Sequence, residues 1–433
     1  MPVFQQLRAL LPLGLSYIAS SGSLLISSAA QLLTFAILAR FLGVDEFSVF
    51  IAVTAVSAVA MAICGLGGTE ALIRRVAREP RLYPDFLGHN ILLSGGTGLV
   101  LMAAGLAILP VVYPLASDGW SNFGLYLLFL TTNVVLARIT FVVEQVFIAH
   151  SNFFSANLNV VLLALSRLIA AVLACIVFGA NSLAEWIVWA FFAQLAVTVF
   201  AVWSIVPLGA PRLVLRWEEM WNGILFSTPF VLRTLRGNVD LLLLTALTSP
   251  EVVASYAVAR RIVDNAYLSV DALNRLVYPG SAAATRGGIH QALGRFRKVL
   301  WVSVGLSVLT ALAIVVIAPF LPLLFGAEYV SLPIFSQILA PTIILVAIWV
   351  TAVEALGSSG HHGPRALIFN GAVTLGGGAI ILATWLYGID GTFGAIYVTE
   401  LLTGIAAWLV LMRLAESDRR AAKSFPLDPV PSK

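Results

Sequence analysis

The sequence predicts an all-α polytopic membrane protein. About twelve transmembrane helices form two six-helix lobes around a central cavity, with both termini cytoplasmic. Three observations carry this. Of the 433 residues, 60% are hydrophobic and only 11% charged, where a soluble domain carries about a quarter charged. Apolar windows of the ~20 residues needed to cross a bilayer recur along the whole chain. Basic residues also alternate between the connections in a way that supports an even number of spans.

The candidate spans are 14–38, 46–66, 87–112, 121–147, 157–179, 183–207, 223–247, 252–279, 299–322, 331–356, 364–388 and 392–414. Arg8 precedes the first span, and so many spans follow that it reads as a first transmembrane helix rather than a cleaved leader. Turn and charge signals separate the rest: "FLGVDEF", "RRVAREPRLYPD", "PRLVLRWEEM", "LTSPE", "GGIHQALGRFRK", "LFGAEY", "GSSGHHGPR" and "YGIDG". Cys64 and Cys175 lie in apolar runs and read as buried small hydrophobes.

With the N-terminus inside, seventeen of the 25 Lys and Arg fall in cytoplasmic connections or the tail. These are Arg8, Arg74, Arg75, Arg78, Arg81, Arg212, Arg216, Arg286, Arg295, Arg297, Lys298, Arg365, Arg413, Arg419, Arg420, Lys423 and Lys433. The outside connections hold only Arg40, beside acids such as Asp45, Glu46, Glu251 and Glu328. The pattern divides the chain into an N-terminal lobe (1–210), a C-terminal lobe (211–415) and a cytoplasmic tail (416–433). "LARFLGVDEFSVFIAV" and "LTALTSPEVVASYAVA" occupy equivalent turns in the two lobes, as parallel repeats would.

The remaining seven basic residues lie inside spans: Arg138, Arg167, Arg233, Arg236, Arg260, Arg261 and Arg275. Acids inside spans are Glu144, Asp240, Asp264, Asp271, Glu354 and Glu400. Each charge near the bilayer centre costs about 3 kcal/mol on insertion scales, which marks them as functional candidates. At 100° per residue, Arg233, Arg236 and Asp240 share a sector of span 7 about 60° wide. Tyr256, Arg260, Asp264, Tyr267, Asp271, Asn274, Arg275 and Tyr278 form a stripe about 100° wide on span 8. Its opposite face, Val258, Ile262, Ala266, Val270, Leu273 and Val277, reads as lipid-facing. Span 1 carries Ser16, Ser20, Ser23, Ser27, Gln31 and Thr34 at the same spacing.

Such stripes face water, a substrate or another polar helix face. One reading is inter-helix ion pairing, Arg236 with Asp264 or Arg233 with Asp271, or Arg236 with Asp240 at i,i+4. The other is a hydrated cavity where some arginines remain available to an anion, whose oxygens the guanidinium fork matches. On the second reading the substrate-binding candidates are Arg233, Arg236, Arg260, Arg275, Arg138, Arg167, Ser20, Ser27, Gln31 and Tyr267. Asp240, Asp264, Asp271 and Glu354 are candidates for ion coupling or ion pairing. Arg138 and Arg167 either line the cavity, snorkel or pair with Glu144. His361 and His362 lack a third ligand and read as a solvated turn, so neither a metal nor a cofactor is expected. The cluster Arg74, Arg75, Arg78 and Arg81 reads as a topology signal, with attraction to membrane lipid headgroups second.

"LLTFAILARFLGVDEFSVF", "NVDLLLLTALTSPEVVASYAVARRI", "LFGAEY" and "YGIDGTFGAIYVTELL" together resemble the polysaccharide transporter (O-antigen flippase) family of the multidrug/oligosaccharidyl-lipid/polysaccharide (MOP) exporter superfamily. The resemblance spans nearly the whole chain in order. Ser48 and Ser255 stand where glycines are usual in the two turns, and "GSSGHHGPR" replaces a simpler link. The resemblance implies a flippase of the bacterial inner membrane. Its substrate would be an oligosaccharide linked to undecaprenyl pyrophosphate, an O-antigen or exopolysaccharide repeat unit of lipopolysaccharide-type biosynthesis. It would work by alternating access, driven by a proton or cation gradient. Glycan polymerase and glycosyltransferases of the same pathway are the implied protein partners, and no nucleic acid is expected. A small-molecule or drug antiporter of the superfamily is the alternative, although cationic drugs would be expected to meet fewer arginines. A glycan polymerase or ligase would need a sizeable outside loop with paired carboxylates, which the short connections do not provide. An enzyme is therefore not expected.

Overall fold

The computed structural model describes residues 2–115, 118–285 and 289–424, with side chains except at 2–21, 272, 274–284 and 421–424. Among the described residues the secondary structure is helical, without strands. The major elements are α1 (Pro2–Ile63), α2 (Gly68–Val76), α3 (Tyr83–Val112), α4 (Gly119–Leu130), α5 (Ala137–Ala149), α6 (Phe153–Ala171) and α7 (Leu183–Ile205). They continue with α8 (Trp217–Leu247), α9 (Pro250–Ala284), α10 (Ile289–Ile317), α11 (Leu321–Phe325), α12 (Leu332–Leu339), α13 (Thr342–Ser358) and α14 (His362–Ser424).

Eight helical stretches among the described residues are long and apolar enough to cross a membrane. Two of them are double-length and broken at a glycine, Gly43 (φ 70°) in α1 and Gly388 (φ 59°) in α14. Both breaks sit at the acidic turns seen in the sequence, where a left-handed backbone turns the chain and glycine adopts it without a Cβ penalty. Helices α8 and α9 are not among the eight, because their charged stripes lower their hydropathy. Local caps define other starts. Asp118 accepts the Ser121 N–H at 2.6 Å, and Ser182 with Glu185 forms a full capping box on α7. Two π-helical turns, Thr131–Leu136 before α5 and Val172–Val177 after α6, interrupt the α-helical register.

The contacts divide the chain into two compact units. The first comprises residues 1–245 with 249–254 and 323–329; the second comprises 246–248, 255–322 and 330–433. The first packs Leu72, Val76, Tyr83, Phe86, Val143, Val146 and Phe147 from α2, α3 and α5 into one apolar cluster. The second packs Ile289, Phe296, Trp349, Leu356 and Leu411 from α10, α13 and α14.

In the first unit the head of α8 is fastened to α2 and α3. Glu219, buried, accepts Arg74 Nη2 at 2.6 Å and Arg75 Nε at 2.8 Å. Arg216 Nη2 bonds Asp85 at 2.7 Å. The backbones of Gly67 and Gly223 meet so closely that a Cβ on Gly67 would lie 2.0 Å from the Gly223 carbonyl oxygen. Arg74 and Arg75, read from the sequence as topology signals, therefore also have a defined structural partner. Glu70, Glu79 and Glu218 stand exposed around the same cluster, which offsets the attraction to lipid headgroups expected of it.

Burial raises the Glu219 carboxyl, but hydrogen bonding and charge from Arg75, then Arg74, outweigh it and hold the group below the ordinary carboxylate range. A depressed carboxylate contributes stability above its unfolded value, lost as pH falls through the folded one. The wild-type protein is thus expected to lose thermal stability on acidification below about pH 4–5. Glu219→Gln should cost roughly 1–3 kcal/mol at neutral pH and flatten that acid limb. Melting curves of both proteins from pH 7 to pH 3 test this, and parallel acid limbs would rule the anchor out.

Candidate functional site

The predicted site residues fall into both units, and each unit carries a different electrostatic character. In the first unit Arg138 and Arg167 meet neutral hydrogen-bond partners. Arg138, on α5, is 5% exposed. Its Nε donates to Ser94 Oγ at 3.1 Å on α3, its guanidinium lies 5.4 Å from the Phe141 ring centroid, and its buried Nη2 has no hydrogen-bond partner. Gly65 makes room for it: a Cβ there would sit 2.2 Å from Nη2. Arg167, half-buried on α6, donates from Nη2 to Gln194 Oε1 at 3.0 Å and Asn133 Oδ1 at 3.3 Å. Pairing of either arginine with Glu144, one sequence expectation, is absent among the described residues. Ser94 and the turn at Gly65 hold the Arg138 guanidinium.

Helix α8 carries the third such arginine. Arg233 is exposed, with its guanidinium 5.6 Å from the Phe230 ring centroid and no carboxylate partner among the described residues. Arg236 and Asp240 are both engaged in interactions, and Asp240 is 1% exposed. The distinction between the two arginines of "FVLRTLRGNVD" is therefore one of availability: Arg233 presents its charge outward, and Arg236 does not stand alone. On α1, Ser27 is buried with its hydroxyl unpartnered, whereas Gln31 is exposed and engaged. The side chains of Ser20 and Arg275 lie outside the described residues.

In the second unit, several of the candidate charges meet opposite charges. Arg260 Nε lies 3.8 Å from Asp264 at i,i+4 on α9, with Asp264 the more exposed. Tyr267, half-buried with its hydroxyl sealed and without a hydrogen bond, lies within electrostatic reach of Asp271, Glu354 and Glu400. Glu354 is ion-paired to Arg365 Nη2 at 2.8 Å, and Glu400, buried, accepts the Trp349 indole N–H at 2.6 Å. No group of three or more His, Cys, Asp or Glu among the described residues is arranged to hold a metal. The lipid-facing assignment for α9 is overturned at two positions. Val258 and Val270 are fully buried, while Asp264 on the polar side is exposed. Protein interior satisfies an apolar face as well as lipid does, and only the charged side requires water.

Sequence spacing missed the residues that hold these charges: Ser94, Asn133, Thr140, Gln194 and Thr198. The available signal was helical spacing of polar residues within apolar spans. Asn90, Ser94 and Thr97 stand at i, i+4 and i+7, Asn133 and Thr140 at i and i+7, and Gln194 and Thr198 at i and i+4.

A helical membrane protein with guanidinium groups held by neutral polar side chains has relatives. The family described as "Polysaccharide biosynthesis protein" matches residues 14–284. The chain belongs to that family. No curated protein matches it. Among solved structures, this family member is similar to an inward-facing multidrug resistance MATE family transporter of the MOP superfamily. The match has 14% identity and TM-score 0.73 over 91% of this chain and 96% of the other. It is similar also to an outward-facing one at 14% identity, TM-score 0.63, over 94% and 96%. A third is a MOP superfamily transporter from Pyrococcus furiosus, whose structure is described as having a binding pocket of reverse polarity that suggests a different function. Identity there is 16% and TM-score 0.63, over 93% and 96%. This polysaccharide biosynthesis family member is thus a multi-pass membrane protein with the fold of the MOP superfamily.

Proposed function

We propose that this protein is a flippase that moves an anionic, lipid-linked oligosaccharide across the bacterial inner membrane. The substrate would be a glycan repeat unit on an undecaprenyl-pyrophosphate carrier, moved by alternating access within a twelve-span, two-lobed fold, with both termini cytoplasmic. One observation carries the reading. Arg138 and Arg167 of the first unit lie in helices long and apolar enough to cross a membrane, and Arg233 lies on α8, all three with no carboxylate partner among the described residues. Charge at that depth is costly, and a fold that needed it only for packing would pair it. A pyrophosphate or acidic sugar supplies the missing negative charge. In the second unit, Asp271, Glu354 and Glu400 near Tyr267, with Asp264, are the proposed place for coupling to a proton or cation gradient, and Asp240 of the first unit is a separate candidate. No step of bond chemistry is assigned. Membership of a polysaccharide biosynthesis family supports a glycan substrate, with glycosyltransferases and a polymerase as pathway partners.

The alternative, a small-molecule antiporter like the MATE neighbours, is disfavoured for cationic drugs by the same arginines. Arg233→Gln tests the reading. Loss of one charge-assisted contact of about 1.5–3 kcal/mol should lower glycan export about 10- to 100-fold. Protein abundance in the membrane should stay unchanged, because the side chain is exposed. Normal export of surface glycan by the variant would remove the basis of the proposal.

A further inference from the structure

The first unit contains a polar network that no ion pair organises. Arg167 Nη2 donates to both Gln194 Oε1 and Asn133 Oδ1. Gln194 is 0% exposed and its amide is fixed in turn: Nε2 donates to Thr140 Oγ1 at 3.2 Å, which lies 3.1 Å from Thr198 Oγ1. Thr198 Oγ1 returns to the Gln194 carbonyl at 2.8 Å, closing the ring of contacts between α5 and α7. Asn133 sits in the π-helical turn before α5, where its Nδ2 donates to the Phe129 carbonyl at 3.0 Å and leaves Oδ1 for the arginine.

Every hydrogen-bond partner of Arg167 among the described residues is neutral. A carboxylate at either position would hold a guanidinium more strongly than an amide does, but would also cancel its charge. Amide oxygens orient the fork and leave the charge intact. Both hydrogen bonds use Nη2, Nε is buried without a partner, and Nη1 is the nitrogen that the network does not consume.

We propose that Gln194 and Asn133 are positioning residues that hold Arg167 at full charge for an anionic group of the transported molecule, a phosphate oxygen or a sugar carboxylate. This rests on the export function proposed above. Such a role predicts that an almost isosteric acid is worse than wild type in function while equal or better in stability.

The test uses the full-length protein in nanodiscs, with inorganic pyrophosphate and glucuronate as probes, alongside glycan export in cells. Gln194→Glu should weaken probe binding and export at least about tenfold, the value of a neutralised charge contact of about 1.4 kcal/mol. Its melting temperature should equal or exceed that of wild type, and Arg167→Gln should show the same functional loss. Loss of the pyrophosphate response assigns the site to the lipid carrier; loss of the glucuronate response assigns it to the glycan. Should Gln194→Glu fail to accumulate, Asn133→Asp introduces the same cancelling charge from the other side. Wild-type binding and export by the acid variants, with Arg233→Gln still defective, would overturn the positioning role alone. If Arg233→Gln were also silent, the export reading itself would fall.

Discussion

Gly67→Ala is expected to destabilise the protein by roughly 2–5 kcal/mol, combining a left-handed backbone penalty with overpacking. Gly67 has φ 71°, a conformation that costs an alanine about 1–2 kcal/mol. Its Cβ would also lie 2.0 Å from the Gly223 carbonyl oxygen, inside any real contact distance. Relief requires α8 to back away from α2, which stretches the Glu219 bonds to Arg74 and Arg75 on the same interface. A control sharpens the result. Gly237, further along α8, meets nothing within 4 Å, so Gly237→Ala should be neutral or stabilising by up to about 1 kcal/mol. Thermal melts of both variants in detergent decide it. A Gly67→Ala melt indistinguishable from wild type would mean that the two backbones do not touch.

Arg138→Met should do the opposite to stability and more to function. The guanidinium is buried with an unpartnered Nη2, a packing ring beside it and one neutral hydrogen bond. Replacing a buried charge that lacks a compensating partner with an apolar chain of similar length is expected to stabilise by about 1–4 kcal/mol. Export should nonetheless fall, because the field of an uncompensated charge in a low-dielectric interior reaches well beyond its contacts. The pairing of a higher melting temperature with lost export is the signature of a residue kept for function at the expense of stability. A variant that melts lower while exporting normally would make Arg138 a structural residue.

Most of the helical layout was legible because it depends on local properties. Apolar length set the spans, and the glycines at 43 and 388 lay in the acidic turns that interrupt them. The charge at Arg233 was legible for the same reason, since an arginine in such a run has few ordinary explanations. What a helical wheel could not supply was the partner on another helix. Glu219 looked like one acid in "RWEEMW", and only a contact some 145 residues away in sequence gives it Arg74. The wheel also assumes a constant 100° per residue. The π-helical turns at Thr131–Leu136 and Val172–Val177 break that assumption in the spans that carry Arg138 and Arg167. Asn133, inside one of those turns, was accordingly overlooked. The apolar side of α9 was misread for a different reason: hydrophobicity does not distinguish lipid from protein interior, and Val258 and Val270 chose the latter.

The strip Leu323–Tyr329 belongs to the first unit although the chain on both sides of it belongs to the second. It is fixed there by the Tyr329 hydroxyl on the Ala39 carbonyl at 2.7 Å and by Arg40 on the Leu323 carbonyl at 2.8 Å. During synthesis, the N-terminal unit therefore cannot reach its final contacts when its own residues have left the ribosome. It must wait for Tyr329, made 290 residues after Ala39, which at about 5–20 residues per second is tens of seconds. A nascent chain arrested before that strip would carry an unfinished first half, open to quality control at the turn around Gly43.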